Sequence, residues 1–273
     1  MDNFSNEPPR IDPDILWRHF SDTYFSLRIG LVLLAFAFPF ILYLYGKYRH
    51  GLDLQPSMSR YFWAATAEQC ATFPMRTIFV GFLLAISVGL YAYKGLTKLE
   101  NFLLNGASIC AALVAIYPER LSQDDIRMDP SVAELFDTCP AVSAWAAMQE
   151  QLPIHYAAAV TLFIILAIVA WACARKSLNY LQSETDRVKY RRIYKGISVG
   201  MILFPLPGLL IAFLLNLTTH WVFFVEAAGI MTFGLYWAVK SRELALSRLE
   251  TDPAKAVEQA QKSGHEKLAG KEK

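Results

Sequence analysis

Six long apolar runs, set apart by charged segments, organise this chain. They are residues 29–46, between Arg28 and Lys47; 77–93, between Arg76 and Lys94; 101–118, between Glu100 and Glu119; 154–174, ended by Arg175 and Lys176; 196–219, after Lys195; and 221–239, closed by Lys240. A helix crossing the hydrocarbon of a bilayer needs about 20 residues at roughly 1.5 Å each, with a range of about 17 to 25. All six runs meet that length. The pattern predicts an all-α, polytopic transmembrane helix bundle of about six spans, with no internal repeat.

The polar segments fill in the rest. In residues 1–28, Leu16, Trp17, Phe20, Tyr24 and Leu27 recur at spacings of three and four, with Arg18, Asp22 and Arg28 elsewhere on the wheel. This reads either as an amphipathic segment lying in the membrane interface or as an ordinary lead-in to the first span. Between the first two runs, LQPSMSRYFWAATAEQC is too polar to cross and too aromatic for free coil. It is expected to form an outward cap with Tyr61, Phe62 and Trp63 at headgroup depth. Pro205 and Pro207 remove two amide donors inside the fifth run and predict a kink there. Residues 240–273, rich in Lys, Glu, Ala and Gln, read as a solvated helix fading into a disordered cytoplasmic tail.

Composition strengthens the membrane reading. Charged residues are 18% of the chain, against about a quarter in an average soluble domain, and hydrophobic residues are 55%. A net charge of +2 gives no electrostatic footprint for nucleic acid. The first run has no small-residue cleavage site after it and follows a long acidic segment, unlike a signal peptide.

Charge also sets an expected orientation. Residues 175–195 hold Arg175, Lys176, Arg187, Lys189, Arg191, Arg192 and Lys195 against Glu184 and Asp186, which places that loop in the cytoplasm. Residues 119–153 hold Arg120 and Arg127 against seven acidic residues and should face outward. Six spans then put both termini in the cytoplasm, although Lys47, Arg49, Arg60 and Arg76 in the first outer segment pull the other way.

Ionisable groups inside apolar runs are costly, and usually face a bundle interior and find a partner. Glu226 is the clearest case, with Gly229 one turn further along its face and Phe233 beyond that. Arg76, His155 and His220 fall at the same expected depth, and Ser57, Ser59 and Tyr61 belong to the outer segment. Converging, they would form a bowl able to bind a small polar or anionic ligand. Unconverged, Arg76 and Glu226 would be a structural ion pair and the histidines would sit at the interface. His155, His220 and Glu226 are weak metal candidates, because no HxxxH, HExxH or CxxC spacing accompanies them. No cofactor motif is evident, neither a phosphate-binding glycine loop nor a nucleophile elbow. Asn101 and Asn105, one turn apart beside Glu100, suggest hydrogen bonds between helices. Cys110 and Cys173 fall in or near spans, while Cys70 and Cys139 share the expected outer side. There they form a disulfide if the compartment oxidises them and their geometry permits, and otherwise remain free thiols.

Several phrases carry a resemblance: MRTIFVGFLLAISVGLYAYKG, LENFLLNGASICAALVAIYP, IHYAAAVTLF, RRIYKG and WVFFVEAAGIMTFGLYWAVK. With Ser57, Ser59, Tyr61, Arg76, Glu100, Asn101, His155, Tyr194, Gly196, Glu226, Phe233, Gly234 and Trp237, the chain resembles a group of bacterial multi-pass inner-membrane proteins of unknown activity. An acidic residue often follows the arginine in that group, whereas Thr77 stands there here. A looser similarity is to seven-span hydrolases of the alkaline-ceramidase type, which hold zinc with three histidines. This chain lacks their paired-histidine last helix and seventh span. The resemblance implies a multi-pass protein of a bacterial inner membrane. Three functions are expected candidates: non-enzymatic binding or transport of a small molecule or ion through an outward-facing pocket, membrane-embedded hydrolysis, or a structural and assembly role.

Overall fold

The structure, a computed structural model, describes residues 13–64, 73–120, 153–181 and 183–247, with Asp137 and Glu258. Among them there are helices and connecting turns and no strand. The long helices are α1 (Pro13–His50), α2 (Pro74–Ala92), α3 (Lys98–Ile116), α4 (Ile154–Ile168), α5 (Glu184–Leu203), α6 (Pro205–Leu214) and α7 (Trp221–Ser247). Helix α4 runs on through a π turn, Val169–Cys173, into Ala174–Ser177. Five segments are long and apolar enough to cross a membrane, and α5 with α6 makes a sixth if that bent pair counts as one span.

Local chemistry sets the ends. Thr97 caps α3 by accepting from the Glu100 amide at 3.1 Å, while the Glu100 carboxylate reaches back to the Leu96 amide at 3.0 Å. Asn101 accepts from the Gly95 amide at 2.6 Å, so Glu100 and Asn101 fasten the turn before α3 rather than a neighbouring helix. Ser183 caps α5 in the same way, with Glu184 and Asp186 in its first turn favoured by the helix dipole. Gly51, at φ +69°, ends α1 with its amide on the Lys47 carbonyl.

Small residues allow the close helix contacts. A Cβ added at Gly234 would lie 2.9 Å from that of Ala35, so α7 and α1 touch there. Gly208 lets α6 meet the backbone of α7, where an added Cβ would stand 2.5 Å from the Val225 Cα. Gly229 is approached as its sequence position suggests, by the rings of Phe163 and Phe204. One apolar core gathers around Trp237, Tyr194, Leu31 and Leu104, and a second around Tyr61, Phe38, Met75 and Phe223. Large apolar side chains such as Leu33, Val88, Ile109 and Phe213 point outward, the surface a bilayer would cover.

Three segments settle or refine the expected pattern. Residues 13–28 are not a separate interfacial helix. They are the first turns of α1, whose 38 residues run to about 57 Å without a breaker at Arg28. The fifth run is bent where its prolines predict: α5 and α6 meet at 64°, because Pro205 cannot continue the hydrogen-bond ladder of α5. The helix of the last run continues past Val239 to Ser247, as the expected helical start of the tail requires. Cys70, Cys139, most of the acidic 119–153 segment and most of the tail lie outside the described residues, as does the Cys173 side chain.

Candidate functional site

The site is built on a short 3-10 turn, Ser59–Phe62, that enters the end of the bundle between α2 and α7. Residues 57–64 are all buried. The segment therefore does not display Tyr61, Phe62 and Trp63 as a headgroup belt, because their rings fill the core instead. Tyr61 has no exposure and packs 6.3 Å from the Phe223 ring. Its phenol is pushed up to about 12 by burial, so it stays protonated at physiological pH. The Pro56 carbonyl accepts from the Phe223 amide at 2.9 Å, which ties the segment to the first turn of α7.

Glu226, one turn further along α7, holds the turn by its amides. One carboxylate oxygen accepts from the Met58 amide at 2.6 Å and the Ser59 amide at 3.3 Å, and the other accepts from the Ser59 hydroxyl at 3.0 Å. A carboxylate set against successive backbone N–H groups is a strong, charge-assisted arrangement.

A second carboxylate completes the site. Glu119, just past the end of α3, accepts from the Ser59 hydroxyl at 2.8 Å and from the Ser57 hydroxyl. Tyr156 donates to its other oxygen at 3.2 Å, and the Arg60 guanidinium lies 3.9 Å from that oxygen. Trp63 donates its indole N–H to the Glu119 carbonyl at 3.0 Å. Ser57 in turn caps the 3-10 turn, accepting from the Arg60 amide at 2.9 Å. Ser59 thus stands between two carboxylates, with one hydrogen to give.

Of the residues singled out in the sequence, Ser57, Ser59, Tyr61 and Glu226 come together here. His155 is adjacent: buried, its Nδ1 donates to the Tyr117 carbonyl at 2.7 Å, and its ring stands edge-on to Tyr156. Arg76 does not pair with Glu226. Its guanidinium lies over the rings of Phe73 at 4.0 Å, Phe62 at 4.3 Å and Trp63 at 5.2 Å, and its Nε donates to the Phe62 carbonyl. Phe73 supports this cage from a left-handed backbone, φ +40°, a conformation costly for a bulky residue. His220 is set apart, its Nδ1 2.9 Å from the hydroxyl of neighbouring Thr219. Among the described residues, no three His, Cys, Asp or Glu side chains are grouped to hold a metal ion, so His155, His220 and Glu226 do not form one.

Glu119, Arg60 and Tyr156 are site residues that the sequence did not single out. Glu119 appeared only as the charge closing the third run. Its adjacency to Pro118 and to a buried turn far away in sequence carries no local signal.

A second polar cluster lies at the other end of α7. Lys240 donates to Ser177 at 2.6 Å and to Glu243 at 3.2 Å, and Ser177 and Tyr194 donate to the same Glu243 oxygen at 2.9 and 3.2 Å. Arg28 donates to Ser241 at 3.3 Å. All six side chains are buried. Lys240 and Glu243 read from sequence as the start of a solvated tail; the structure instead encloses them as an ion pair between α4, α5 and α7.

No family model matches the chain, and neither curated proteins nor solved structures yield a match. Fold and surface define its class by themselves: an all-helical chain with five or six membrane-length apolar helices, the pattern of a multi-pass membrane protein.

Proposed function

We propose that this chain is a non-enzymatic membrane protein that binds or passes a small cationic species, a proton included, at the Glu119–Ser59–Glu226 site. The observation carrying this reading is the single hydroxyl between two carboxylates, 2.8 and 3.0 Å away. Ser59 has one hydrogen for the two carboxylates, so both hydrogen bonds are satisfied in full when one carboxyl itself donates to the Ser59 oxygen. Without that proton, the two enclosed negative charges have one cation beside them, Arg60 at 3.9 Å from one oxygen of Glu119, and a second cation would balance them. The ligand charge favoured is therefore positive rather than the negative charge that an Arg76–Glu226 bowl would select, because Arg76 is occupied by three aromatic rings. The seven basic residues of the 175–195 loop support an orientation with this site outward and both termini cytoplasmic. The bacterial inner membrane is the location its sequence resemblance implies.

The test is infrared titration of the purified protein in detergent, with thermal unfolding in the presence of methylammonium or sodium. A protonated-carboxyl band that disappears in both Glu119→Gln and Glu226→Gln, with cation-dependent stabilisation that grows with pH, is the expected result. Equal stabilisation by phosphate and by methylammonium would sink the reading. A hydrolase reading draws on the Ser57 and Ser59 hydroxyls donating to Glu119. Covalent labelling of either serine by a fluorophosphonate probe would favour it.

A further inference from the structure

Helix α5 carries two opposed stripes. Tyr190, Tyr194, Ile197 and Met201 are buried, at spacings of three and four that make one face. Val188, Arg192, Lys195, Val199 and Ile202 follow the same spacing on the opposite side, and all five are exposed. Along this outer stripe the character changes once. Arg192 and Lys195 are neighbours, one turn apart, and beyond them the stripe is aliphatic for the remainder of the helix. Arg191 is exposed on the flank of the same stripe, and Val188, Lys189, Arg192 and Ile193 line an open groove beside it, with Glu184 and Thr185 at its far end.

Among the described residues, neither Arg192 nor Lys195 is in an ion pair. Glu184 lies two turns before Arg192 and pairs with Arg187 at 3.3 Å, and Asp186 lies in the first turn of α5, nearly two turns before Arg192. Arg187 is further occupied by the carbonyls of Leu181 and Asn179. Arg192 and Lys195 thus present two cations at the step from polar helix to lipid-facing helix. Val199 and Ile202 begin about 6 Å and 10 Å further along the axis.

The geometry points to a binding site for the headgroup of an anionic phospholipid on this stripe. The phosphate bridges Arg192 and Lys195, with Arg191 beside it, and the acyl chains lie along Val199 and Ile202. Arginine suits the phosphate because its planar donors can meet two oxygens at once, and the lysine adds a mobile point charge. A soluble phosphate would satisfy the cations but leave the aliphatic half of the stripe unused, so the occupant is a lipid. The site stands apart from the Glu119–Ser59–Glu226 proposal and needs no particular orientation in the membrane.

The test uses the full chain, purified in detergent and titrated with phosphatidylglycerol, with phosphatidylcholine and inorganic phosphate as separate arms, reading thermal unfolding and lipid retention by native mass spectrometry. Phosphatidylglycerol should be retained and stabilising, and the other two should not. Charge-removing Arg192→Gln with Lys195→Gln should weaken retention about thirtyfold, at roughly fivefold per cation near the headgroup plane. The charge-keeping exchange Arg192→Lys with Lys195→Arg should keep most of it, and Lys98→Gln, an exposed cation on α3, should change nothing. Equal retention of phosphatidylglycerol by the double glutamine variant would overturn the site. Equal stabilisation by phosphatidylcholine or by inorganic phosphate would overturn it as well.

Discussion

Ser59 holds Glu226 at both carboxylate oxygens, through its amide at 3.3 Å and its hydroxyl at 3.0 Å. The same hydroxyl lies 2.8 Å from Glu119, so one side chain ties the end of α3 and the first turns of α7 to the buried turn after α1. Ser59→Ala removes the shared hydroxyl but leaves both backbone amides on Glu226. It should destabilise the protein by about 1–3 kcal/mol, the cost of leaving enclosed carboxylates short of a donor. Thermal or denaturant unfolding in detergent measures this, and an unchanged midpoint would mean that the hydroxyl is dispensable.

The two carboxylates should be coupled. In a cycle of Glu119→Gln, Glu226→Gln and the double variant, the interaction energy should reach about 1 kcal/mol or more, since both act through Ser59. Additive effects would separate them.

Arg76 should be energetically independent of Glu226. Its cation lies over Phe73, Phe62 and Trp63, so Arg76→Ala should cost about 0.5–2 kcal/mol and Arg76→Lys less. Combined with Glu226→Gln, it should add to within about 0.5 kcal/mol, as for sites without shared partners. Rescue of one change by the other would restore the ion pair in place of the aromatic cage.

The Lys240–Glu243 pair is enclosed, and breaking it from one side should be severe. Lys240→Met leaves Glu243 buried without its cation and should cost about 3–5 kcal/mol. Adding Glu243→Gln should recover at least half. A Lys240→Met protein as stable as the parent would place the pair in contact with water.

Glycine positions give a steric contrast. Gly208→Ala drives a methyl group into the α7 backbone and should cost about 1–3 kcal/mol or more. Gly196→Ala meets nothing within 4 Å and should be neutral or stabilising by up to about 1 kcal/mol. Equal unfolding midpoints for the two variants would contradict the close approach of α6 to α7.

Much of this architecture is written locally. Apolar length and bounding charge determine where membrane-length helices form, because hydrogen bonding within a segment and removal of apolar surface from water depend on consecutive residues. Pro205 determines that the fifth run breaks, since a missing amide and a ring clash act within one turn. Glu226 stands out for the same reason, as a charge in an apolar run. Tertiary structure alone decided what these groups meet. Ser59 and Glu226 are 167 positions apart, Ser59 and Glu119 are 60 apart, and Lys240 finds Ser177 across 63. It also turned Arg76 to aromatic rings rather than a carboxylate and enclosed Lys240 and Glu243, which the sequence leaves in a charged tail. Hydropathy measures what a residue loses on leaving water, whereas burial of a charge depends on the partner that packing delivers, and no local pattern carries that information.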